Sequence, residues 1–178
     1  KLLTTIRLDP SDTFVFERAA EPGEWAVPGT FVFAGADPAN LKGKARTAFR
    51  AGFLGVSSLG WSTLAQVVET DAAGRADAVE QLAQSLVQHF GAPDLGVARA
   101  AAEEEVTFAE SLCGHDADTL IALHRTSENG DIREAFRTLK KRADSKSFRA
   151  FSFMDVEGED EAPGEQVDLV TLAQGERK

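Results

Sequence analysis

The sequence predicts an α+β domain, a largely antiparallel sheet with helices packed on one face. Three observations predict it. Residues 70–114 carry two helical apolar patterns joined by a Pro-containing corner. Strand-like segments flank that pair on both sides, and a third helical pattern at 37–53 opens on Asp37-Pro38. A chain of 178 residues fits one domain, because about 70% of its unfolded surface can be buried in a single core at that size. No linker or internal repeat divides 1–178.

The helical pair, about 71–113, has the clearest signals. Asp71 is placed to cap the first helix, Val79, Leu82, Leu86 and Phe90 share a face, and Gly91 stands where a left-handed cap is wanted. Pro93 and Asp94 restart the chain. Leu95, Ala98, Ala102, Val106, Ala109, Leu112 and Cys113 form the second stripe, and Gly114 ends it.

The other elements follow in order. Leu2, Thr4, Ile6 and Leu8 alternate as a half-buried strand does, and Asp9-Pro10-Ser11-Asp12 is a turn. Residues 13–18 are expected to return as a strand with Phe14 and Phe16 on one face. Trp25 falls in a loop or at a strand edge, and 30–34 reads as an interior strand. In the 37–53 helix Leu41, Ala45, Ala48, Phe49 and Phe53 recur at helical spacing. Gly55 and Gly60 bound a loop leading to Trp61, and 61–69 reads as a central strand.

Residues 119–126 form another strand, with His124 and Arg125 on opposite faces. Asn129-Gly130 then signals a hairpin with 132–139 as the returning strand. Asp131 with Glu134 and the spacing of Ile132, Ala135, Phe136 and Leu139 read instead as a helix start. The hairpin is preferred because Asn-Gly directly follows a strand. A charged loop at 140–147, a strand at 148–157, an acidic loop at 157–166, a short strand at 167–172 and a frayed end at 174–178 complete the chain.

The net charge of −10 argues against nucleic acid and anionic membranes as partners. No apolar run reaches the ~20 residues of a membrane span. One Cys excludes an internal disulfide framework, consistent with a cytoplasmic protein. Residues 125–149 hold eight Lys/Arg against four Asp/Glu, whereas 157–168 holds six carboxylates and no cation. The basic stretch therefore matches the acidic tail or an acidic partner.

Motifs for phosphate cradling, dinucleotide binding, nucleophile elbows and paired-Cys zinc sites are absent. The nearest reactive cluster is Glu110, Cys113, His115 and Asp116, whose thiolate, imidazole and carboxylates are zinc-ligand types. Cys113 also continues an apolar stripe, and His115 also suits a helix C-terminus. His124 and Arg125 are candidate polar binding groups, and Trp25 and Trp61, beside Gly-rich loops, are candidate binding aromatics. Twelve Phe and no Tyr point to a Phe-rich core, with a Phe-lined ligand pocket as the alternative.

The blocks Leu8-Asp9-Pro10-Ser11-Asp12-Thr13, Trp25-Ala26-Val27-Pro28-Gly29-Thr30-Phe31, Gly60-Trp61-Ser62 and Ile132-Arg133-Glu134-Ala135-Phe136-Arg137 resemble a small bacterial family known only as a domain of unknown function. The resemblance implies a bacterial, cytoplasmic protein that accompanies the maturation of redox enzymes, and it transfers no catalytic residue. The expectation is a non-enzymatic accessory protein, without cofactor, that recognises a protein partner or itself. A small-molecule binder or enzyme, with a metal near Cys113 and His115, is the alternative.

Overall fold

The computed structural model describes residues 1–128, 131–140 and 155–157, with Lys140 and the last three as backbone only. In chain order the elements are β1 (Leu2–Ile6), α1 (Ser11–Val15), β2 (Ala26–Val27), α2 (Gly43–Ala51), β3 (Phe53–Gly55), β4 (Trp61–Ser62), β5 (Leu64–Val68), α3 (Ala72–His89), α4 (Leu95–Ser111), β6 (Leu120–Glu128), β7 (Asp131–Lys140) and β8 (Asp155–Glu157). Short 3-10 turns occupy Thr30–Phe33 and Pro38–Asn40. The fold is α+β.

Five strands form an antiparallel sheet in the order β1-β5-β6-β7-β8, and β2-β3-β4 make a second antiparallel sheet. Register places Leu3 opposite Val67, Thr5 opposite Ala65, Ala65 opposite Ile121 and Leu123 opposite Phe136. Because strand side chains alternate, these residues share one face. The helices lie there. Phe108 of α4 meets Phe136 edge-on at 5.8 Å, and Arg125, two residues on from Leu123, reaches the end of α2.

The helical pair forms as its caps dictate. Asp71 accepts a hydrogen bond from the Gly74 amide and Asp94 from the Val97 amide, both at 2.9 Å. Gly91 has φ 74°, the left-handed conformation that stops α3. Leu82, Ala83 and Leu86 of α3 and Ala98, Ala102, Val106 and Ala109 of α4 are buried in the main core. Arg75 ties the helices together, reaching Glu103 at 2.7 Å and Glu110 at 3.0 Å. The 131–139 segment is β7, paired along β6 from Leu120↔Leu139 to Glu128↔Asp131, so the hairpin reading holds.

Several local expectations are corrected. Residues 13–18 do not return as a strand: Ser11–Val15 is the helix α1. Asp9 accepts from the Ser11 amide at 2.7 Å and turns the chain into helix at Pro10. Phe14 is therefore 71% exposed while Phe16 is 1% exposed, on different sides. The interior strand expected at 30–34 is a 3-10 turn, because Gly29 at φ 71° swings the chain round directly after Pro28. The 37–53 helix is divided. Asp37 caps the 3-10 turn at Pro38–Asn40, α2 begins only at Gly43, and Phe53 belongs to β3. Residues 61–69 are two strands in two sheets, β4 and β5, separated at Thr63. Of the expected strand at 148–157, residues 155–157 are β8. The other C-terminal expectations, at 141–154 and 158–178, lie outside the described residues.

A candidate anion-binding groove

The expected site residues go to different places. Trp25 donates its indole N–H to Asp77 at 2.9 Å and packs against the main core. Trp61 stacks on Phe33 with ring centroids 5.3 Å apart. It also lies against Gly52, where a Cβ would come within 2.7 Å of the indole ring. Both tryptophans are half-buried, each with part of its ring in packing contacts.

The Glu110, Cys113, His115 and Asp116 group is dispersed. Cys113 is buried and its thiol donates to the Ala109 carbonyl at 3.3 Å. Burial pushes that thiol up to about 11, which disfavours the thiolate a metal or an electrophile needs. Glu110 is held by Arg75, and the His115 carbonyl accepts from the Lys1 ammonium at 2.9 Å. Among the described residues no three His, Cys, Asp or Glu side chains are disposed to hold a metal ion.

Arg125 is the centre of the polar interior. It is 1% exposed and sits opposite Glu134 in the β6–β7 register. Its Nε donates to Glu134 at 2.8 Å and to the Thr30 hydroxyl at 2.9 Å, and Thr30 in turn donates to Glu134. Nη1 donates to the carbonyls of Phe49 at 3.0 Å and Gly52 at 2.9 Å, with Ala48 at 3.5 Å. Nη2 donates to the Pro28 carbonyl. The last carbonyls of a helix have no donor within it, so the guanidinium closes the end of α2 and pins the Pro28–Gly29 turn. The Phe33 ring lies 5.8 Å from its carbon. Burial draws the pKa of Arg125 below its ordinary value, and the hydrogen bond to Glu134 opposes that. Glu105 of α4 completes the cluster: burial first, then the charge of Glu134, raise its pKa to about 7, with Arg125 acting the other way.

His124 lies on the opposite side of β6 from this cluster and is exposed. β5 stops pairing at Leu64↔Ala122, but β6 continues to Glu128 with β7 on its far side only. Across from this overhang stands α2. Between them runs a groove of ≈ 380 Å³, walled by Arg46, Phe49 and Arg50 and by β6 from His124 to Ser127, with Pro38 and Ala39 at one end. Arg46 and Arg50 are one helical turn apart and exposed. Among the described residues, neither side chain has a hydrogen-bonding or ionic partner. Arg125 backs the same groove, with each of its guanidinium nitrogens already bonded within the fold, so its main contribution there is positive field.

Sequence reading had missed Arg46 and Arg50, although a signal existed. Residues 38–68 contain Lys42, Lys44, Arg46 and Arg50 and no Asp or Glu, in a chain of net charge −10. The denser basic stretch in the sequence is 125–149. Within it Arg125 is consumed by the core and Arg133 pairs with Glu128 at 3.2 Å; Arg137 is exposed opposite Ala122, away from the groove of α2, Lys140 is described as backbone only, and 141–149 lies outside the described residues.

Fold and groove together define an α+β protein with a cationic cleft at a strand overhang. The chain belongs to a family of unknown function, DUF6505, whose model matches residues 1–156. No curated protein and no solved structure matches it. Among the described residues no helix is long and apolar enough to cross a membrane.

Proposed function

We propose that this is a non-enzymatic accessory protein, bacterial and cytoplasmic, that works by holding an acidic surface of a protein partner. One observation carries the reading. Lys42, Lys44, Arg46 and Arg50 cluster on and just before α2 with no described partner for their side-chain cations, while the chain as a whole carries −10. A local positive patch on an acidic molecule repels bulk polyanions at long range yet attracts a matching acidic patch at contact. The interior polar groups support a binding role, since Arg125, Glu134 and Cys113 are occupied with the fold itself.

The family resemblance adds the expectation that the partner belongs to a redox-enzyme system. The test is affinity capture with the full chain as bait, at low salt, with light scattering of the purified protein. The expected result is a stoichiometric partner, acidic at its contact surface and released by salt as exposed ion pairs are. A strictly monomeric protein that retains nothing would overturn the reading.

A further inference from the structure

The groove has a second property besides charge. Residues 123–128 of β6 pair with β7 on one side, and β5 has already ended on the other. Among the described residues no backbone hydrogen bond reaches that free edge. An unpaired strand edge is a template for another strand, whose main chain supplies the affinity and whose alternate side chains supply the specificity. A strand added there would lie about 4.8 Å from β6, in the groove between β6 and α2.

We infer that an extended acidic segment of the partner adds to the free edge of β6. The inference rests on the accessory reading above and specifies its partner. Side chains on the α2 side of such a segment meet Arg46 and Arg50, whose guanidinium forks suit paired carboxylates. Those on the other side meet His124. The occupant is thus a run of Asp or Glu alternating with small or β-branched residues, held by main-chain pairing and read by two arginines. Phosphate alone, lacking a backbone, engages only the second of these.

The experiment uses the full chain and a short fluorescent peptide of alternating Glu and Thr, followed by polarisation. Binding is expected, with loss of roughly tenfold in affinity in the doubly reversed variant R46E/R50E. The same peptide N-methylated at alternate residues is expected to bind at least as much more weakly, because methylation removes donors that strand pairing needs and leaves the charge unchanged. Both arginines are exposed, so the variant's melting temperature serves as the control for folding.

A peptide that binds equally with and without N-methylation overturns strand addition and leaves the acidic-partner reading standing. A peptide that fails to bind while the captured partner still does overturns this inference alone. Displacement of the peptide by inorganic phosphate at constant ionic strength would make the groove a small-anion site. Concentration-dependent dimerisation abolished by R46E/R50E would make the occupant a second copy of the chain. Either result overturns the inference.

Discussion

Arg125 and Arg46 line one groove beside α2 and have opposite fates. Arg125 is sealed in the core with all three of its guanidinium nitrogens engaged, by Glu134, Thr30 and the carbonyls of Pro28, Phe49 and Gly52. Arg46 stands exposed on α2 in the groove, its side chain without a described partner. The contrast shows that a cation's chemistry is set by what surrounds it. Once desolvated, a charge must satisfy all its donors within the protein and has none left for a ligand. An exposed charge costs nothing to leave unpaired and remains available.

The largest break in this contrast is Arg125→Met. It strands Glu134 beside Glu105 and frees the carbonyls at the end of α2. Loss on the order of 3–5 kcal/mol is expected, read as a collapse in the urea midpoint or as insoluble protein. Gly52→Ala attacks the same junction sterically, since its Cβ would approach the Trp61 ring at 2.7 Å and the Ala48 carbonyl oxygen at 2.8 Å. Roughly 1–3 kcal/mol should be lost, and near-ultraviolet circular dichroism should report the displaced indole.

Glu105→Gln should act in the opposite direction. The folded protein raises the pKa of Glu105 from 4.5 to about 7, so it holds that proton more tightly than the unfolded chain does. The resulting stability is complete below about pH 4.5 and is lost as pH rises to about 7. The amide, which cannot ionise, should leave stability at pH 4 little changed and raise it on the order of 1–2 kcal/mol at pH 8. Urea melts across that range measure both. Smallest of all, Arg46→Ala and Arg50→Ala should each shift stability by less than about 0.5 kcal/mol. An equal loss from Arg46 and Arg125 in the same melts would erase the distinction between them.

How much of this was legible beforehand varies by region. α3 and α4 were, because Asp71, Asp94 and Gly91 act within their own turns and the apolar stripes run for many residues. The β6–β7 hairpin was also legible, although Asp131 and Glu134 offered a rival helix start. In the outcome Glu134 is no helix cap: it faces Arg125 across the ladder. The N-terminal third was read less well. Phe14 and Phe16 alternate as in a strand, yet Asp9 and Pro10 start a helix over them. The apolar run at 30–34 is likewise overruled by the Pro28-Gly29 turn. Short apolar runs carry too little periodicity to outweigh one strong turn residue. Within the candidate site His124 and Arg125 were singled out, but the arginines that remain free were not.

Residue chemistry within a few positions determined the caps, the stops, the alternation of β6 and the charge of α2. Only the tertiary structure decided that β5 would end before β6, that Arg125 would turn inward to the carbonyls of α2, and that Arg46 and Arg50 would face an open strand edge. The physical reason is range. Capping and periodicity act through neighbouring backbone groups, whereas the pairing of β5 with β6 and the bonds of Arg125 to α2 join residues some fifty or more positions apart, and no local pattern encodes which of two arginines will meet water.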